Sequence, residues 1–116
     1  MKISVVTSPK GDLSVAVLSQ ESQIKDTSDF LDFMANADAD VLALEKSSLP
    51  PDFFELRSGI AGEFLQKLTN YQRKLIVLGD FQNIQSNSLR SFIVEANRSG
   101  RTVFADSLDQ AFELIR

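Results

Sequence analysis

The sequence predicts a single α/β domain over residues 1–116, with about five strands in a mixed, mainly parallel sheet and four helices. Two observations support this fold class. Short runs of continuous apolar residues, typical of strands buried on both faces, alternate with segments whose apolar residues recur at helical spacing. The chain also has the length of one hydrophobic core and no internal repeat or linker. The predicted order of elements is ββαβαβαβα, with right-handed crossovers between parallel strands.

The first half of the chain is predicted to form a hairpin, a helix and a buried strand. A short β-branched strand over 3–6 ends at the turn signal Pro9-Lys10-Gly11-Asp12, and a second strand follows over 13–18. Residues 26–28 (Asp-Thr-Ser) offer N-caps to the first helix. The continuous apolar run over 41–44 is the third strand, which we expect to be buried on both faces.

The second half alternates helices and strands after a break at Pro50-Pro51 and a single helical turn over 52–56. Apolar spacing predicts further elements in the order helix, strand, helix, strand, helix, over 60–68, 75–78, 89–96, 102–105 and 108–115. Ser99-Gly100 is a typical C-terminal end of a helix, and Ser107 is the predicted N-cap of the last one.

The composition excludes several kinds of chemistry. The chain has no cysteine and no histidine, so it can form no disulfide framework, thiolate nucleophile or Ser-His-Asp triad. Twelve Lys and Arg against sixteen Asp and Glu leave a net charge of −4 without a dense basic run, unlike chains that bind a nucleic-acid backbone. Since no signal peptide and no apolar stretch of membrane length is visible, we expect a cytoplasmic protein with no nucleic-acid and no membrane partner. No cofactor motif is visible, and we predict no cofactor, no metal ligand and no catalytic residue.

Residues that follow the predicted strands are candidates for a site, because ligands of open α/β sheets bind beyond the carboxyl ends of the strands. Glu45, Asp80 and Asp106 occupy such positions. They are either a carboxylate set that binds Mg²⁺ or transfers protons, or turn formers and helix caps. Four basic residues are expected at the opposite end of the sheet, where they interact favourably with helix C-termini: Arg73, Lys74, Arg98 and Arg101.

The segment over 50–62 contains further candidates. One ring of the pair Phe53-Phe54 is expected to point inward, and the other either marks a partner surface or belongs to a satellite core under the loop. Gly59-Ile60-Ala61-Gly62 places small residues in the first turn of a helix, which permits close approach by an anion or by a neighbouring strand. Arg57 either pairs with an incoming anion or extends along the surface.

Three stretches of the second half are distinctive: DFFELRSGIAGEFLQKLTNY over 52–71, LIVLGDF over 75–81 and SLRSFIVEAN over 88–97. They resemble the bacterial "domain of unknown function 4180" family. The resemblance runs along essentially the whole chain. The family name implies no activity.

The order of elements, and the pair Ser58-Gly59 opening a helix after a buried strand, are similar to the STAS domain (sulfate transporter and anti-sigma-factor antagonist). The resemblance implies that Ser58 is phosphorylated and that its phosphorylation controls docking to a partner kinase. A phosphate there lies close to the positive end of a helix dipole. This chain has Leu56-Arg57 where that group usually has an aspartate and a small residue. The alternative role of Ser58 is a plain N-cap.

We therefore predict a non-enzymatic regulatory or protein-interaction module with a protein partner. The candidate partner or anion site comprises Glu45, Phe54, Arg57, Ser58, Gly59, Gly62 and Asp80. The alternative is a small anion- or nucleotide-binding protein or enzyme that uses Glu45, Ser58, Gly59 and Asp80; an immunity or toxin-neutralising role also suits a small acidic protein. A homodimer is a further expectation, formed if an edge strand pairs with a copy of itself. The sequence leaves open whether that edge is the hairpin or the fifth strand.

Overall fold

The computed structural model describes residues 1–116 and contains five strands and four helices in the order ββαβαβαβα. The strands are β1 (Ile3–Thr7), β2 (Ser14–Leu18), β3 (Val41–Glu45), β4 (Lys74–Leu78) and β5 (Thr102–Ala105). The helices are α1 (Thr27–Asn36), α2 (Ile60–Asn70), α3 (Asn87–Ser99) and α4 (Leu108–Leu114). Three 3-10 segments connect β3 to α2, over Lys46–Ser48, Pro51–Phe54 and Leu56–Ser58. The predicted fold class and order of elements are confirmed.

The strand order in the sheet follows the chain, β1-β2-β3-β4-β5. β1 is antiparallel to β2, with Ile3 opposite Leu18, and the three later pairs of neighbours are parallel. Since successive parallel strands are direct neighbours, crossovers of one hand place all connecting helices on the same face of the sheet. Accordingly, α1, α2 and α3 pack on one face, and α4 packs on the other.

Each face of the sheet has its own core, because alternate residues of a strand point to opposite faces. The larger core lies under α1, α2 and α3 and contains 19 buried residues, including the stacked rings of Phe30 and Phe64 with centroids 4.5 Å apart. The smaller core lies under α4 and contains only valine, isoleucine and alanine: Val15, Val41, Ala43, Ile76, Val103, Ala105, Ala111 and Ile115.

The helix ends follow the predicted capping pattern. The Asp26 side chain accepts a hydrogen bond from the Asp29 backbone N–H at 2.9 Å, and Ser107 caps α4 in the same way. Gly100 ends α3 in the left-handed conformation, with φ of 77°. None of the four helices is both long and apolar enough to cross a membrane.

Candidate functional site

An apolar groove lies at the carboxyl ends of β3 and β4. Its volume is about 580 Å³, and its walls include Lys46, Leu49, Phe54, Phe81 and Ile84. We call it the carboxyl-edge groove. It lies at the edge of the sheet where open α/β folds bind their ligands.

The exposed Lys46 side chain lies against both aromatic walls of this groove. Its Nζ lies 5.8 Å from the ring centroid of Phe54 and 5.2 Å from that of Phe81, and it donates a hydrogen bond to the Asp80 backbone carbonyl at 3.2 Å. Gly79 makes room for the lysine stem, because a Cβ on Gly79 would lie 2.9 Å from the Cβ of Lys46. A cation held at two ring faces offers a charged contact beside apolar surface.

The adjacent phenylalanines of the segment Pro51–Phe54 have different environments. Phe53 is buried in the larger core, with its ring centroid 5.8 Å from Phe64 and 6.5 Å from Phe104. Phe54 is half-buried; its ring packs edge-on against Phe53 at 5.0 Å and lies 6.4 Å from Phe81 in the groove wall. The inward orientation of one ring is thus observed. The other ring forms no separate satellite core, because Phe54 packs, partly buried, against the larger core itself.

The three carboxylates that follow the parallel strands do not form one site. Glu45 lines the carboxyl-edge groove and accepts a hydrogen bond from Gln20 Nε2 at 3.1 Å. Asp80 and Asp106 line a separate cavity of about 550 Å³ next to it. No cluster of side chains that could hold a metal ion is present, so the Mg²⁺-binding set is not formed. Asp80 instead accepts a hydrogen bond from the Gln82 backbone N–H at 3.0 Å, as a turn former does.

Arg57, Ser58 and Gly59 are exposed where the chain enters α2, and they line neither of these two cavities. Gly59 is the N-cap residue and adopts φ of 80°, a left-handed conformation that favours glycine. The Ser58 hydroxyl donates to the Asp52 backbone carbonyl at 2.6 Å and accepts from the Ile60 N–H at 3.2 Å. Ser58 therefore connects the start of α2 to the 3-10 segment that contains Phe54.

Gly62 lies in the first turn of α2 and is exposed, and a Cβ added to it would meet no atom within 4 Å. The close-packing explanation for this glycine is therefore wrong; the neighbouring Ala61 is the residue buried there. Glycine inside a helix costs about 0.5–1 kcal/mol relative to alanine, and no tight contact within the chain requires it here. The space beside Gly62 is therefore open.

The basic residues lie at the opposite end of the sheet, where a cavity of about 660 Å³ is lined by Arg73, Lys74, Arg101 and Arg116. Arg73 Nη1 donates to the Met34 backbone carbonyl at 3.3 Å, near the C-terminal end of α1, which is the predicted kind of interaction. Arg98 lies in the last turn of α3, as predicted, and also forms an exposed ion pair with Glu95 on the same helix at 2.9 Å. Such an exposed pair contributes little to stability.

The sequence interpretation located the groove in part. It named Glu45 and Phe54 as site residues, but it did not predict that Leu49 and Ile84 also line the groove. The available signal was the loop after β4, in which Phe81 and Ile84 are apolar among polar neighbours. Apolar residues in an otherwise polar loop need a covering surface, and here they line a groove.

Comparison with known proteins identifies a family and no individual relative. No curated protein matches the chain. No solved structure matches it either, and the similarity to STAS domains stays a prediction. The family model described as "Domain of unknown function (DUF4180)" matches residues 10–115. Because this match covers almost the whole α/β domain, the chain belongs to the DUF4180 family.

Proposed function

We propose that this protein is a non-enzymatic protein-interaction module that binds a segment of a partner protein in the carboxyl-edge groove. The partner segment presents an apolar side chain next to a carboxylate. The supporting observation is the Lys46 ammonium held beside the half-buried rings of Phe54 and Phe81. The rings offer apolar surface to be covered, and the ammonium adds charge complementarity for an acidic group.

The walls of the groove are anchored before any partner arrives. Phe54 packs against Phe53, which is 1% exposed, and Phe81 packs edge-on against Phe104 at 5.4 Å. Side chains already fixed by the core lose little conformational freedom on binding, and this lowers the entropic cost of association. A preformed groove of this kind supports recognition of one side-chain pattern.

The regulatory part of the proposal concerns Ser58. A kinase that transfers a phosphoryl group from ATP to Oγ replaces the hydroxyl proton, so the hydrogen bond to the Asp52 carbonyl is lost. The phosphate adds about 1.5–2 negative charges at the entrance to α2. Since Asp52 lies in the same 3-10 segment as Phe54, the modification loosens one wall of the groove and weakens docking.

The test uses two libraries of fluorescent peptides that have leucine and phenylalanine at the same positions. The remaining positions are Asp and Glu in one library and Lys in the other. Fluorescence anisotropy gives the dissociation constants. We expect the acidic library to bind more tightly than the basic one. Phe54→Ala should weaken its binding about tenfold or more, which corresponds to a loss of about 1.4 kcal/mol of binding free energy. Lys46→Met should remove the preference for acidic peptides, and Ser58→Asp should weaken binding of both libraries.

Phe112→Ala is the matched control, because Phe112 is also half-buried but packs against the smaller core on the other face of the sheet. This variant should bind like the unmodified protein. Equal binding of the two libraries, no binding of either, or full binding by Phe54→Ala contradicts the proposal. Unchanged binding by Ser58→Asp contradicts its regulatory part alone.

A further inference from the structure

The two edges of the sheet differ in how their outer backbone groups are satisfied. At β5, the Asn97 side chain donates to the Phe104 carbonyl at 3.2 Å and accepts from the Phe104 N–H at 2.7 Å. The amide therefore takes the place of a neighbouring strand, and all four residues of β5 are buried. No side chain bonds in this way to β1, the other edge. The open edge of the sheet is thus β1.

The outward backbone groups of β1 follow from its pairing with β2. The Ser19 N–H donates to the Lys2 carbonyl and the Ser8 N–H donates to the Leu13 carbonyl, each at 2.9 Å. In an antiparallel pair, every second residue faces the partner strand. The even-numbered residues therefore bond to β2, while Ile3, Val5 and Thr7 present their N–H and C=O groups outward.

The side chains of β1 do not protect this edge. Natural edge strands are usually blocked by a charged residue, a proline or a bulge. From Ile3 to Ser8 the strand has none of these: it contains no charge and no proline, and its register with β2 is uninterrupted. Val5, in the middle, is 56% exposed, among the largest exposed fractions of the apolar side chains.

We propose that β1 pairs antiparallel with β1 of a second copy of this chain, about a two-fold axis at Val5, so that two sheets join into one of ten strands. Val5 of one protomer lies opposite Val5 of its partner, and Ile3 lies opposite Thr7. All three outward residues of each strand then form hydrogen-bonded pairs, and the exposed valines cover each other. A two-fold interface of this kind is closed, so assembly stops at a dimer.

The register centred on Val5 suits the pairing of two identical β1 strands. Centred on Val5, the pairing brings no like charges together, because Lys2 of one strand lies opposite Ser8 of the other. A shift that centres the axis on Val6 would place Ile3 opposite Pro9, which has no N–H to donate. Only the axis at Val5, the midpoint of β1, pairs every residue of β1 with a residue of the partner's β1.

The first experiment measures the mass of the protein in solution by sedimentation equilibrium over a range of concentrations. We expect twice the 12.9 kDa of the monomer at high concentration. Val5→Pro removes an outward N–H that β2 does not use, so it should abolish the dimer while circular dichroism shows a folded chain. Val5→Lys should also give a monomer. Val94→Lys is the matched control, because Val94 on α3 is 54% exposed, and it should remain dimeric.

The second experiment tests the register with single-cysteine variants. Because the chain has no cysteine of its own, the introduced residue is the only thiol in each variant. Hydrogen-bonded antiparallel pairs have Cα atoms about 5.5 Å apart, a distance that a disulfide can span. When oxidised glutathione is added as the oxidant, Val5→Cys should form a disulfide between two protomers much faster than Val94→Cys. A monomeric wild type at every concentration, a dimer that survives both Val5 variants, or equal cross-linking rates overturns the proposal.

Discussion

The two faces of the sheet show how one set of strands supports two different cores. On one face, three helices cover leucines and phenylalanines, and the ring of Phe64 contacts the rings of both Phe30 and Phe53. On the other face, the seven-residue α4 is the only helix over a layer of valine, isoleucine and alanine. In β3, for example, Leu42 points to the larger core and its neighbour Ala43 to the smaller one.

The difference follows from the connections between strands. Three parallel crossovers in sequence order bring three helices to one face, where large side chains are needed to fill the space between layers. α4 comes after the last strand and is the one helix free to cover the opposite face. The buried phenylalanines all belong to the face on which three helices pack.

The largest effect is expected for Phe64→Ala in the larger core. Phe64 is fully buried and stacked on Phe30, so its removal should lower the free energy of unfolding by about 3–5 kcal/mol. Urea unfolding followed by circular dichroism measures the change. The half-buried Phe92 is the control, since Phe92→Ala leaves a cavity more open to water and should cost less. Both side chains belong to the larger core, so equal losses for the two variants would contradict the importance of complete burial in that core.

An intermediate effect comes from one substitution made on each face. Val77 of β4 and Val103 of β5 are both fully buried, but Val77 belongs to the larger core and Val103 to the smaller. Val→Ala removes about 1.6 kcal/mol of transfer free energy at either site, to which a cavity cost is added. We expect Val77→Ala to cost more, because three packed helices resist collapse around the cavity more than one short helix does. A larger loss for Val103→Ala in the same urea experiment would contradict this.

The smallest effect is a pH response that arises outside both cores, which contain no titratable side chain. The Ser8 hydroxyl donates to the Asp12 carboxylate at 2.7 Å and, with a backbone hydrogen bond and nearby Lys10, lowers the pKa of Asp12 below its ordinary value of 3.8. The pKa of Asp12 is therefore lower in the folded state than in the unfolded state. The stabilisation that the ionised carboxylate provides is present above pH of about 4 and is lost as the pH falls through the folded-state pKa.

Asp12→Asn tests this response. The difference in unfolding free energy between wild type and variant should narrow as the pH falls below about 4, and Ser8→Ala should raise the pKa of Asp12 in an NMR titration. A difference that stays constant down to the lowest pH at which the protein folds would show that the hairpin contact does not contribute.

Much of the fold was predictable because its signals are local. The continuous apolar runs over 41–44 and 75–78 lie in β3 and β4, and the caps at Asp26 and Ser107 form with the residues that follow them. These patterns depend on neighbours a few residues away along the chain. The capping role of Asn97 on β5 was not predictable, since it requires α3 and β5 to be placed side by side.

The candidate site was predictable only in its location. The strand ends supplied Glu45 and Asp80, yet the structure separates these residues into two cavities. The contact of Lys46 with Phe54 and Phe81 depends on two connections that are distant in the chain, the one between β3 and α2 and the one between β4 and α3. Loop conformation is decided by packing on the core rather than by periodicity, so no sequence pattern specified this contact.

The order of elements and the absence of cysteine and histidine chemistry could be read from the sequence, because they follow from composition and short-range periodicity. The burial of Phe53, the position of Phe54 in a groove wall and the choice of β1 rather than β5 as the open edge became visible only in the folded chain. All three depend on which segments meet across the fold. That outcome is set by long-range packing and hydrogen bonding, which no local pattern encodes.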